Sequence, residues 1–261
     1  LTIYKKMLKK RVIPFLLLKN GRMVKGKNFN NYIDTGDPNK AVDIYSSQDA
    51  DELIFINISK DIISKKKFLK ILNRASQECS MPLCAGGGIT SSKDVKELLE
   101  KGADKVLVNS ILTKNLDIIE DISVKFGAQC IVAGIDYKIN KSSKKIEVWS
   151  ECGTNLTSLD FYQYIEQITK LGVGEIFLNS IDHDGLMRGY DLTICKIVSE
   201  KFETPLIVSG GAGNFTDLIN IFTKTQVSAA ACASLFHFND YNPIQIRSYL
   251  NNNGVKMRKL K

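Results

Sequence analysis

The chain has 261 residues, 44% of them hydrophobic and 25% charged, and a formal net charge of +8. That length suits one large domain or two ordinary ones, since α/β barrels often run to about 250 residues as a single unit. No apolar run reaches the roughly 20 residues of a membrane helix, and the start LTIYKKMLKKR lacks the apolar stretch and cleavage site of a secretory signal.

Residues 1–6 read as an extension, with Met7 as the natural start and 7–261 as one domain. The basic residues cluster at 5–11, 65–67, 138–145 and 256–261 without interleaved aromatics. That pattern argues against a nucleic-acid surface and for solvated faces that steer anionic substrates. None of the six cysteines forms a C-x-x-C pair, which suits buried thiols in a reducing cytoplasm. Two histidines, His183 and His237, are too few and too far apart for a zinc site.

Eight short apolar runs begin near Arg11, Glu52, Pro82, Asp104, Gln129, Gly174, Pro205 and Val227. Most are continuously apolar, as parallel strands covered by helices are. Helical patterns lie between them. Asp37-Pro38 marks one start, and Ser91 or Ser92 opens a helix closed by Gly102. Ser158 opens one closed by Gly172, and Asp191 and Asn214 open two more. Eight β-then-α units predict a (β/α)8 TIM barrel, with a doubly wound open sheet as the alternative.

The chain also repeats itself. IFIN at 54–57 returns as IFLN at 176–179, CAGGGI at 84–89 as VSGGAG at 208–213, and the serine closing VLVNS (Ser110) as that closing ACAS (Ser234). The offsets of 122, 124 and 124 residues predict two similar half-barrels.

Several residues are placed for chemistry. Gly87-Gly88 and Gly210-Gly211 each follow a strand and precede a helix, where backbone N–H groups can hold an anion. Asn109-Ser110 and Ala233-Ser234 follow the next strand in each half and can complete two phosphate cups. Asp136 ends the fifth strand, where barrel enzymes carry catalytic groups. Asp182 and Asp184 flank His183, which itself reads as an exposed loop residue. Arg11, Glu52, Lys105 and Glu175 sit at the opposite strand ends; alone, they read as soluble caps or as a closed charged ring.

The blocks KRVIPFLLLKNGRMVKG, FNNYIDTGDP, DELIFIN, AGGGI, GADKVLVNS, VAGIDYK, GEIFLNSIDHDG, RGYD, VSGGAG and ASLFHF together resemble the HisF-type cyclase subunit family of imidazole glycerol phosphate synthase. The resemblance runs from about Met7 to Lys259. It implies a barrel without metal or organic cofactor, and a glutamine amidotransferase partner docked at the N-terminal face of the strands. Ammonia from that partner would cross the barrel through a gate of Arg11, Glu52, Lys105 and Glu175. Asp104 would meet the partner, and Lys25 would be a loop lysine handling substrate. Phosphates of a small-molecule substrate would rest on Gly88, Asn109 and Ser110 in one half and on Asp184, Gly185, Gly211 and Ser234 in the other.

Asp136 matches one of the family's two catalytic carboxylates. Leu17 stands where the other is expected, and Asn57 replaces a nearby aspartate. The spelling LLLKNG is similar to a branch that modifies surface-polysaccharide sugars, working with an N-acetyl-sugar amidotransferase. The leading expectation is therefore an ammonia-conducting barrel in sugar amidination. A histidine-pathway cyclase and a non-catalytic glutaminase scaffold are the alternatives.

Overall fold

A computed structural model describes residues 9–258. The reading of residues 1–6, with Met7 as the start, lies outside them. Eight parallel strands form the barrel: β1 (Arg11–Lys19), β4 (Leu53–Asn57), β5 (Leu83–Gly86), β6 (Lys105–Val108), β7 (Ile131–Ile139), β10 (Glu175–Ser180), β11 (Leu206–Ser209) and β12 (Ala229–Cys232). Each pairs with the next, β12 pairs with β1, and β7 pairs with β10, so the sheet closes. The outer helices are α1 (Pro38–Ser47), α2 (Ile62–Glu78), α3 (Ser92–Glu100), α4 (Asp117–Phe126), α5 (Phe161–Lys170), α6 (Leu192–Lys201), α7 (Phe215–Lys224), the short α8 (Ser234–His237) and α9 (Pro243–Asn252). This is the (β/α)8 barrel that the alternating pattern predicts.

Side-chain alternation along the strands divides the core in two. Ile13, Phe15 and Leu17 of β1 point into the barrel with Ile54, Leu107, Val132 and Phe177. Val12, Leu16 and Leu18 point outward into the larger layer beneath the helices. Strands buried on both faces lose their alternating pattern, which is why these runs read as continuously apolar. Inside, Phe15 and Phe177 meet edge-on with centroids 5.3 Å apart, while β12 contributes only Ala229 and Ala231. Large and small residues thus interlock to fill the barrel.

Two features depart from the sequence reading. Ser158 belongs to a strand, and the N-cap of α5 is Asp160, whose carboxylate accepts from Gln163 N–H at 3.0 Å. A carboxylate at the N-terminus of a helix also gains from the helix dipole, which favours Asp160 over the earlier serine. The second departure is a pair of antiparallel hairpins. β2 (Arg22–Lys27) and β3 (Asn30–Gly36) follow β1, while β8 (Ile146–Ser150) and β9 (Asn155–Asp160) follow β7. Each half of the barrel therefore carries one hairpin after its first strand. Both rise from the C-terminal end and roof the site.

Candidate functional site

Inward-facing residues recur at every second position of a strand, so one strand carries a column from floor to mouth. Arg11, Ile13, Phe15 and Leu17 form one such column. Lys105, Leu107 and Asn109 form another, and Glu175, Phe177 and Asn179 a third. Four residues of strand span about 13 Å, which separates a charged floor from a polar mouth.

On the floor, Arg11 bonds Glu52 at 2.6 Å and also bonds Glu175. Lys105 closes the ring with Glu52 at 2.9 Å and Glu175 at 2.6 Å. Glu52 and Glu175 are buried, so this is not a set of solvated caps. Burial opposes the charge on Arg11 and on Lys105, but the two carboxylates outweigh it and raise both pKa values. Burial likewise works against the charged form of Glu175, and the two cations overcome it and lower its pKa. Asp104 lies exposed beside this floor, its carboxylate accepting from Leu83 N–H at 2.8 Å.

At the mouth lies a cavity of about 450 Å³. Its walls include Leu17, Leu107, Phe177, Asn109, Asn179 and Asp136. Asp136 is held from both sides. Asn109 Nδ2 donates to one carboxylate oxygen at 2.8 Å and Asn179 Nδ2 to the other at 3.2 Å. Burial pushes the Asp136 carboxyl up to about 6, although both amides pull it down; the field of Asp184 adds to the rise. A carboxyl poised there can take up or release a proton near neutral pH. Leu17 is buried on the same lining and brings only a hydrocarbon surface. Asn57 ends β4, and its amide is turned to Ser59, whose N–H it accepts at 3.2 Å.

The Gly-rich turns fit against the ends of the preceding strands. A Cβ on Gly87 would lie 2.0 Å from Asn57 O, and one on Gly210 would lie 2.5 Å from Ser180 O. Both glycines also hold positive φ, of 101° and 91°, so glycine is required at each. Beside Gly87, Gly88 faces open space. The two halves differ beyond this point. Gly87, Gly88, Asn109 and Ser110 all line the cavity. Gly210, Gly211 and Ser234 do not, because the loop after β10 covers them; Gly189 N–H donates to Gly211 O at 2.9 Å. Ser234 Oγ and His237 Nε2 are left buried there without hydrogen-bond partners among the described residues.

Several residues stand differently from the sequence reading. Lys25 is on strand β2 rather than in a loop, buried, and paired with Asp184 at 2.6 Å. Gly185 packs under the same hairpin, where a Cβ would lie 2.2 Å from Gly26 O. Asn109 spends its amide N–H on Asp136, leaving Ser110 as the freer polar group of the first cup. His183 is half-buried, its Nδ1 2.8 Å from Gly189 O, because the loop folds back over it. Asp182 ties its loop to the end of β7, its carboxylate accepting from Ile139 N–H at 2.8 Å.

Asn179 was missed by sequence reasoning, although its spacing of four from Glu175 puts it on the inward face. Among the described residues, no group of three or more His, Cys, Asp or Glu is arranged to hold a metal ion, and no helix is long and apolar enough to cross a membrane.

A closed barrel with a carboxylate-bearing cavity at the C-terminal ends of its strands defines a (β/α)8 barrel of the enzyme type. The chain belongs to the histidine biosynthesis protein family, whose pattern it matches over residues 11–242. It is 40% identical over 255 residues to the imidazole glycerol phosphate synthase subunit HisF of Lactococcus lactis subsp. cremoris (strain SK11), covering 98% of each chain. It is 41% identical over 252 residues to the same subunit of Dehalococcoides mccartyi, covering 97% of this chain and 99% of that one. With the Natranaerobius thermophilus subunit it shares 39% over 252 residues, covering 97% and 100%. These relatives lend no support to the expectation of polysaccharide amidination; they favour the alternative, the histidine-biosynthesis cyclase.

Proposed function

We propose that this chain is the cyclase-type subunit of an imidazole glycerol phosphate synthase. In this reading it takes ammonia from a glutamine amidotransferase partner and uses Asp136 as its acid–base group. The observation that carries the reading is the set of columns joining a charged floor to one cavity in which burial pushes the Asp136 carboxyl up to about 6. The partner docks at the floor beside Asp104. Ammonia passes the ring of Arg11, Glu52, Lys105 and Glu175. A phosphorylated substrate rests one phosphate on Gly88 and Ser110, and a second reaches Gly211 and Ser234 once the loop after β10 yields.

Leu17 supports a second reading. A leucine cannot move a proton, and the other carboxylates on the lining, Asp184 and Glu151, are held by Lys25 and Lys114, so Asp136 stands alone where a two-carboxylate mechanism needs two. Losing such a group typically costs about 10²–10⁴ in rate. A barrel that delivers ammonia to a sugar amidotransferase would not need the second carboxylate.

One assay separates the readings. Purified chain is supplied with high ammonium and the ribonucleotide substrate of the cyclase family, beside the variants Leu17→Asp and Asp136→Asn. Turnover by the natural chain that Asp136→Asn abolishes supports the cyclase. Turnover only in Leu17→Asp favours the amidination reading, with a pocket that still fits the cyclase substrate. No turnover in either rejects the cyclase.

A further inference from the structure

Three charged side chains lie at the mouth of the cavity, outside the machinery described above. Lys60 follows β4, Lys114 follows β6, and Glu151 tips the β8–β9 hairpin; all three line the cavity. Glu151 holds Lys114 at 2.8 Å and Lys60 at 3.8 Å. A third cation on the same wall, Lys65, is already matched by Asp94 and Glu97, each at 2.8 Å. Lys60 and Lys114 share one carboxylate, so these three side chains carry one net positive charge at this corner of the cavity wall, while the carboxylates of Asp94 and Glu97 are turned to Lys65 outside its lining. The corner lies on the side of Gly88 and Ser110.

The hairpin tip is tied to the same corner. Glu151 N–H donates to Ser110 Oγ at 3.1 Å. The serine oxygen is thereby used as an acceptor, which leaves its own proton free to point at an anion. Glu151, Cys152 and Gly153 follow one another with φ of 51°, 58° and 73°. Two non-glycine residues in the left-handed region are strained, and such strain collects at ligand clamps and switches.

We propose that Lys60 and Lys114 clamp a phosphate ester of the substrate at this corner, with Glu151 as the internal counter-ion that the phosphate displaces. The proposal rests on the reading of the cavity as a phosphate-ester site and adds a selectivity device to it. A phosphate dianion brings more charge to two ammonium groups than one carboxylate does. The exchange is therefore favourable, and neutral ligands are left facing an intact ion pair. Ser110 contributes its hydroxyl proton, and the adjacent turn at Gly88 contributes backbone N–H groups.

The test is calorimetric binding of inorganic phosphate and pyrophosphate to the full chain at constant ionic strength. The sole tryptophan, Trp149, lies two residues before Glu151 on β8 and gives a second readout by fluorescence. Lys60→Ala and Lys114→Ala should each weaken binding roughly twofold to fivefold, the range for exposed ion pairs. Glu151→Gln removes the competing charge, keeps the backbone bond to Ser110, and should tighten binding by a similar factor. Unfolding temperatures of these surface variants check that each is folded. Unchanged affinity in the folded lysine variants, or weaker binding in Glu151→Gln, overturns the clamp. Turnover with unchanged KM in the double lysine variant also overturns it while leaving the cyclase reading intact. Charge-dependent phosphate binding in a chain without turnover upholds the clamp and rejects the cyclase.

Discussion

Lys25 and Asp184, 159 residues apart, form an ion pair of 2.6 Å that is sealed from solvent. It joins the first hairpin to the loop after β10. Asn28 reinforces the junction by donating its side-chain N–H groups to Ile181 O and Asp182 O, at 2.8 and 2.9 Å. The pair therefore pins the roof of the cavity across the barrel mouth.

Removing one partner of a buried pair leaves the other charge uncompensated, at about 3–5 kcal/mol. Lys25→Met and Asp184→Asn should each lower stability by an amount of that order. The double variant should lose much less than the sum, because neither buried charge remains. Urea unfolding of the four proteins checks this. Additive losses would mean that the pair does not hold the roof.

The floor ring gives a second expectation. Lys105 bonds both Glu52 and Glu175, and its side chain is 20% exposed while that of Glu52 is 2% exposed. Lys105→Met leaves two largely buried carboxylates facing Arg11 alone. A loss of about 1–3 kcal/mol follows, discounted from the fully buried case for the partial exposure of the ring. With a glutaminase partner present, the partner bound to this variant should hydrolyse glutamine without matching ammonia use by the barrel. A variant as stable and as tightly coupled as the natural chain would remove the ring from both roles.

Much of this was legible in the sequence, for reasons that differ between elements. The barrel showed because each parallel strand is an apolar run bounded by polar residues, as at LIFIN and EIFLN. Asp136 showed because it closes the apolar run CIVAGI, although β7 does not end there but continues to Ile139 to pair with β8. The two hairpins were not legible: NNYIDTG and NLTSLD form largely solvent-facing strands, whose burial does not impose a strong pattern. Lys25 reads as a loop residue for a different reason: its strand, RMVKGK, is buried at four of six positions, yet its charges and glycine break up any apolar run. The inequality of the two phosphate cups was hidden as well. It depends on the loop after β10 folding over Gly211, a contact that no local pattern encodes.

Leu17→Asp gives a third expectation, on stability. The new carboxyl would sit among Phe15, Ile56 and Leu107 on the inner lining, with no charged partner inherited from the leucine. Burial raises the pKa of such a group. Its folded pKa then exceeds its unfolded value, so the variant is penalised little at pH 4 and increasingly as pH rises through the folded pKa. A loss of about 2–4 kcal/mol at pH 8, shrinking toward pH 4, is expected from the unpaired buried charge. Denaturant midpoints across that range read it. A constant loss would point to lost leucine packing instead of charge.

Asp136 and His237 are expected to impose opposite pH slopes on stability. Burial raises Asp136 to about 6, above the ordinary aspartate value. Between about pH 4 and 6 its folded form binds more protons than its unfolded form, so its contribution is lost as pH rises through that window. Burial lowers His237 to about 4, and the Lys25 charge adds to the fall. Between about pH 4 and 6.5 the unfolded histidine binds more protons, so stability is lost as pH falls. For each group, the difference between the folded and the ordinary value corresponds to about 3 kcal/mol. In the natural chain the two slopes largely cancel. Asp136→Asn removes the first, so its stability relative to the natural chain should rise by about 3 kcal/mol between pH 4 and 6.5. The new amide can be accommodated because the Asn109 and Asn179 side chains each retain an unpartnered oxygen and can turn over. His237→Gln removes the second slope, and its relative stability should fall over the same range. Urea midpoints of the three proteins at several pH values provide the comparison, and other carboxylates drop out of the differences. Parallel curves for the natural chain and Asp136→Asn would mean that Asp136 has an ordinary pKa, and would withdraw it as the proton-transfer group of the cavity.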